Sequence, residues 1–232
     1  MTNGIYFHEA IYRFQKRSIA KSEVLAFKGF CAECDHSIFK PIETPSTNYS
    51  NYRNQLLFSY RALLSEYRET LDLIESHKLI IESRRLSPEI KAMFASMRNR
   101  CYLVAQAFQY HLALMERELF HSQSMFFRDF FQKRHFRFHT FDLPKLEIAS
   151  SATFSNPYTF NITKSEYDYR RPLSNKILAG FKPIFLTLIP KAQNSTLIIG
   201  YAKGLRNIEG VAVKKLIKLD NAELLKLISD LL

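Results

Sequence analysis

From Tyr60 onward, apolar side chains recur in alternating steps of four and three: Tyr60, Leu64, Tyr67, Leu71, Ile74, then Lys78 and Ile81. That spacing lays them along one stripe of an α-helix. Arg61, Glu66, Arg68, Glu69 and Asp72 fall on the faces between. Lys78 interrupts the stripe, although its methylene stem can still cover apolar surface. The pattern lapses at Ser83-Arg84-Arg85, and Ser87-Pro88-Glu89 opens a new segment. Serine as N-cap and proline at the first helical position are a start signal. The second segment carries Ile90, Phe94, Met97, Cys101, Val104, Phe108, Leu112, Met115, Leu119 and Phe126, with neither Gly nor Pro as far as Lys133. One unbroken helix of that length would reach roughly 65 Å, so a break is expected near His121-Ser122-Gln123-Ser124. The short connection at Leu86 to Pro88 makes the two segments antiparallel neighbours. Ahead of them a Thr/Pro/Ser/Asn run ends at Ser50 and Asn51, either of which can cap the first helix.

Beyond the helices the period changes. His135, Arg137 and His139 alternate with Phe136 and Phe138, with Phe141 expected on the phenylalanine side. A period of two predicts a half-buried strand. Lys145–Ala149 is a second strand candidate, and Ala152–Ile162 a third, kinked at Asn156-Pro157. Residues 164–175 read as a polar loop. Ile184–Ile189 and Thr196–Tyr201 flank a turn from Pro190 to Ser195 and form the clearest hairpin. Val211–Ile217 fits either helix or strand, and Asp220 opens a final helix. That helix stops on Leu231-Leu232, which docks into the core, meets another subunit, or continues in a longer chain. At the other end, Gly4–Phe7 reads as a strand and Ile11–Ile19 as a short helix.

The expected fold is α+β: two long antiparallel helices packed on a mostly antiparallel β-sheet, with a small Cys/His-containing N-terminal segment. Residues 1–50 form that segment, 51–134 the helical hairpin, and 135–232 a β-rich region with its C-terminal helix, all in one compact unit.

With 232 residues, 47% of them hydrophobic, the chain can bury a substantial core. Only 6 glycines are present, and neither a phosphate-binding glycine loop nor a nucleophile elbow occurs. An odd count of 3 cysteines does not make a disulfide framework. Met1–Ala10 lacks the apolar core of a signal peptide. The nearest approach to a membrane span, Ile184–Tyr201, is cut by Pro190-Lys191 and by Gln193-Asn194-Ser195. A cytoplasmic protein is therefore expected. The formal net charge of +11 directs attention to polyanionic partners, nucleic acid above all.

Three places could hold chemistry. In Cys31-x-x-Cys34-x-His36, two thiolates leaving a tight turn can grip a zinc ion. A second cysteine pair is missing, and the plainer reading packs Cys31 beside Phe30 with Cys34 in a turn. The second place is Lys133-Arg134-His135-Phe136-Arg137-Phe138-His139: cations to neutralise phosphates, interleaved with rings that can stack on bases. Arg134 and His139, four residues apart in between, resemble the Arg-x4-6-His pair of HEPN ribonucleases. That resemblance implies a helix-borne pair in a helical bundle, whereas the alternation predicts a strand. The third is Tyr169-Arg170-Arg171 with Lys164, extended by Lys214, Lys215 and Lys218; solvated surface charge is the plainer reading of each. His111 and His121, and Glu116 and Glu118, lie at helical spacing; Glu118 and His121 have the spacing of a bundle metal motif, but no second copy exists, so they read as a surface pair.

Three function classes follow. The first is a nucleic-acid-contacting protein of a prokaryotic defence or toxin type, marked by salt-dependent oligonucleotide binding. The second is a helical scaffold that forms a homodimer through the hairpin, marked by a salt-insensitive dimer. The third is a metal-dependent nuclease built on Cys31, Cys34 and His36, marked by chelator-sensitive cleavage.

Overall fold

The computed structural model describes residues 32–44, 46–121, 134–147, 149–154, 178, 181–203, 218–220, 222–223 and 226. A short helix, α1 (Ala32–Phe39), runs into a 3-10 turn at Lys40–Ile42 whose Pro41 presets the backbone. Asn51 then caps the first long helix, α2 (Tyr52–Glu82), its side-chain oxygen accepting from the backbone N–H of Arg53 and Asn54. The expected Ser87-Pro88 signal starts α3 (Pro88–Glu116), with Ser87 accepting from the N–H of Ile90. The α-helix changes at Arg117–His121 to a five-residue π-helical turn. Tyr52 bonds Glu118, Tyr60 bonds Glu116 and the His77 ring contacts Phe94. The start of α2 therefore lies beside the end of α3, and the two run antiparallel.

The seam between them differs from the purely apolar stripe. Tyr60, Leu63, Thr70, Ile74 and His77 are buried, while Lys78 is exposed. These positions follow steps of three and four through Tyr67, a heptad-like register. Thr70 turns its hydroxyl back to the carbonyl of Glu66 (2.7 Å), which removes its polarity from the seam. On α3 the core residues are Phe94, Ala105, Ala107, Phe108, His111, Leu112 and Met115, and Met97 stands 43% exposed. In the half of the hairpin far from the sheet the seam is thin. His77 Nδ1, Arg98 Nε and Asn99 Oδ1 are buried there without a hydrogen-bond partner among the described residues.

A four-stranded antiparallel sheet, in the order β1-β4-β3-β2, packs beside the helices. Its strands are β1 (Phe136–Pro144), β2 (Ser150–Phe154), β3 (Ile184–Pro190) and β4 (Asn194–Ala202). The β3–β4 hairpin turns where expected, with Lys191 N–H bonded to the Asn194 carbonyl. The described residues of the Lys145–Ala149 candidate are not in a strand. Pro144 ends β1, and the N–H of Leu146 is taken by the Ser195 hydroxyl (2.8 Å) instead of a ladder partner. The third candidate begins as β2 but is described only to Phe154. Gly4–Phe7, Ile11–Ile19, the loop 164–175 and Val211–Ile217 lie outside the described residues. Asp220 opens a helical turn by a reciprocal box: its carboxylate accepts from Glu223 N–H at 2.8 Å and Glu223 accepts from Asp220 N–H at 3.1 Å.

Alternation along β1 divides the core in two. Phe136 and Phe138 face the helices with Phe185 and Ala202, against Leu56, Tyr60, Phe108 and Leu112. On the other face Phe141 packs with Leu188, Leu197 and Ile199. Phe141 thus shares a face with Arg137 and His139, not with Phe136 and Phe138, because strict alternation sets side by parity. The helix-side rings fit because their cross-strand partners are small: Phe136 opposes Ala202 and Phe138 opposes Gly200. A Cβ at Gly200 would stand 2.5 Å from Cε1 of Phe138. Among the described residues no helix is long and apolar enough to cross a membrane.

Candidate functional site

The π-helical turn after α3, the first residue of α2 and the start of β1 meet at one end of the helical hairpin. A π-turn inserts extra backbone into a helix and re-aims the side chains on it. Here it turns Glu118 inward, leaving its side chain 8% exposed. Its two oxygens accept three hydrogen bonds. The Tyr52 hydroxyl donates to Oε2 at 2.5 Å. The backbone N–H of His135 donates to Oε1 at 2.6 Å, and His135 Nδ1 lies 2.9 Å from the same oxygen. An acceptor at that position places the ring proton on Nδ1 and leaves Nε2 as the lone pair. The His135 side chain is 39% exposed. Two residues before Glu118, at the end of α3, Glu116 accepts from the Tyr60 hydroxyl at 2.9 Å.

Arg134 lies with its guanidinium 4.3 Å from the centre of the Tyr52 ring, a cation–π contact. Phe138 abuts the same ring edge-on at 5.4 Å. Burial, followed by the bond to Glu118 and its charge, holds the Tyr52 phenol well above the ordinary range, with Arg134 opposing. Tyr52 is therefore a fixed donor to Glu118 across physiological pH. Tyr60 is raised likewise, by burial and then by Glu116. The Lys203 N–H donates to the His135 carbonyl at 2.6 Å, and the Lys182 ammonium reaches the Lys203 carbonyl at 3.4 Å. Arg134 and Arg137 flank His135 in the chain, Lys203 pairs with it through the backbone, and the Lys182 ammonium is bonded to the Lys203 carbonyl.

On the sheet face turned away from the helices, Arg137 pairs in register with Tyr201. His139 stacks on the Tyr201 ring at 5.8 Å with planes 4° apart, and its Nε2 lies 3.3 Å from the hydroxyl. Burial and then the charge of Arg137 push the His139 imidazole below its ordinary value. Arg137 is exposed, and no acidic side chain pairs with it among the described residues.

The residues singled out from the sequence divide accordingly. Arg134 and His135 meet Tyr52 and Glu118 at the start of β1, whereas Arg137 and His139 lie beside Tyr201 on the face turned away from the helices. Lys133, Arg170, Arg171 and Cys31 lie outside the described residues. His139 belongs to a β-strand, which removes the helical context implied by the HEPN resemblance. Cys34 and His36 belong to helix α1 and not to a tight turn. No group of three or more His, Cys, Asp or Glu among the described residues is arranged to hold a metal ion. The Glu118 side chain is turned inward at 8% exposure instead of lying on the surface, and His111 is buried. Glu118 was hidden because its partners Tyr52 and His135 stand 66 and 17 residues away in the chain. No family model, curated protein or solved structure matches the chain.

Proposed function

We propose that the protein contacts nucleic acid through the start of β1 and the half-buried His139–Tyr201 end of the adjoining outer sheet face. Support comes chiefly from the exposed Arg137 paired in register with Tyr201 of the stacked His139–Tyr201 pair, with the exposed Arg134 at the start of the same strand. Cations neutralise phosphates, and flat rings on a sheet face offer stacking surface to unpaired bases. The net charge of +11 supplies an attractive field for such a strand. In fluorescence anisotropy with a single-stranded RNA oligonucleotide, the logarithm of the affinity falls linearly with the logarithm of salt concentration. Arg137→Ala weakens binding across sequences and reduces that slope by about 1. Absence of binding at low salt overturns the reading.

A second reading is a scaffold that pairs with another copy of itself through the distal helical arm. Leu73, Leu79, Met93 and Met97 are 50%, 68%, 50% and 43% exposed there. Asp72 and Glu75 alternate with Arg68 and Lys78 along the same stretch. A two-fold axis would set opposite signs against each other and close two hairpins into a four-helix bundle. Sedimentation resolves it: a salt-insensitive dimer that becomes monomeric in Leu79→Glu supports pairing, and a monomer at high protein concentration removes it.

A further inference from the structure

We propose that His135 and Glu118 form a general-base dyad that cleaves RNA at the 2′-hydroxyl; this rests on the nucleic-acid reading above. The carboxylate is fixed twice over before it touches the imidazole, by the Tyr52 hydroxyl on one oxygen and by the His135 N–H on the other. It then fixes the imidazole, holding Nδ1–H and leaving the Nε2 lone pair on a ring 39% exposed. A histidine whose tautomer is set by a buried acid is arranged to accept a proton from a ligand and to be stabilised once charged. The neighbourhood identifies the ligand's chemistry. Arg134 is exposed beside the dyad, and Lys182 and Lys203 are held near the His135 backbone. A phosphodiester pairs with a cation such as the exposed Arg134 guanidinium, and the hydroxyl adjacent to a phosphodiester in nucleic acid is the ribose 2′-OH.

In the step, Nε2 of His135 takes the proton from the 2′-oxygen as that oxygen attacks the neighbouring phosphorus. The bond from phosphorus to the 5′-oxygen breaks, and its electron pair leaves on that oxygen. The products are a 2′,3′-cyclic phosphate and, after protonation by solvent water, a 5′-hydroxyl; His135 returns its proton to the hydroxide so formed. Atoms and charge balance without oxidant, reductant or a further reactant. Arg134 and Lys203 offset charge building on the phosphate oxygens. Glu118 is a positioning residue, since it acts through His135.

The test uses the full chain, an RNA oligonucleotide and its all-2′-deoxy counterpart, with products resolved by mass. Cleavage of RNA alone, leaving 2′,3′-cyclic phosphate ends, is the expected result. His135→Ala, at a half-exposed position, then reduces cleavage by about 10²- to 10⁴-fold while retaining RNA affinity. Glu118→Gln lowers kcat with KM nearly unchanged, which a merely structural contact would not produce. RNA bound with the salt slope above but left intact overturns the dyad and leaves the binding reading standing. Equal cleavage by His135→Ala, or cleavage of the 2′-deoxy strand, overturns the dyad as well. Failure to bind either strand overturns both.

Discussion

Acidification from pH 6.5 to 4 removes roughly 3 kcal/mol of folding stability through His111 alone. This imidazole is 1% exposed, set among Tyr110, Phe136 and Phe181, with Nε2–H donated to the Phe181 carbonyl. Burial pushes its affinity for a second proton from an ordinary 6.5 down to about 4; Lys182 and His135 add to the effect, and the Phe181 carbonyl opposes it. Between those values the unfolded chain carries the proton and the folded protein does not. The stabilisation is therefore complete above pH 6.5 and is lost progressively as pH falls toward 4, at about 1.4 kcal/mol per unit. Denaturant midpoints across this range, compared with His111→Gln, isolate the contribution. The glutamine amide can still donate to Phe181 but does not titrate, so its profile is flatter by that slope. Parallel profiles for the two proteins would dismiss His111 as the origin.

Truncating Phe185 to alanine costs about 3–5 kcal/mol, the range for a buried aromatic removed without collapse of its site. Phe185 is 1% exposed at the centre of the sheet, with its ring 5.9 Å from that of Phe136. Neither neighbour can fill the gap cheaply: Phe138 sits over Gly200 and Phe136 is held against His111. The denaturant midpoint should fall with the m-value unchanged. A loss below about 1 kcal/mol would mean that the helix and sheet layers do not bear on each other at this ring.

Local signals proved readable where they were chemically explicit. Asn51 and Ser87 each satisfy backbone N–H groups as their side chains predict. The β3–β4 hairpin and the start of β1 followed from turn residues and a period of two. A misreading came where polarity was taken to mean exposure: the Glu118 side chain, read as a surface group, is 8% exposed because it bonds Tyr52 and His135. Those bonds join distant parts of the chain. The cationic half of the candidate site was visible as Arg134-His135-Phe136-Arg137 because those residues are contiguous. The acid beneath it depends on a π-turn and on a tyrosine from another helix, which no spacing in the sequence announces.

The thin seam of the distal hairpin has a bearing on how the protein moves. Burial there amounts to a few side chains, and three polar atoms are buried without a partner among the described residues. Opening that arm re-exposes those atoms to water and sacrifices little apolar contact, so it requires much less free energy than global unfolding. Amide hydrogens near His77 and Phe94 are accordingly replaced by deuterium well before those near Leu56 and Leu112, grading each long helix from a labile tip to a protected root.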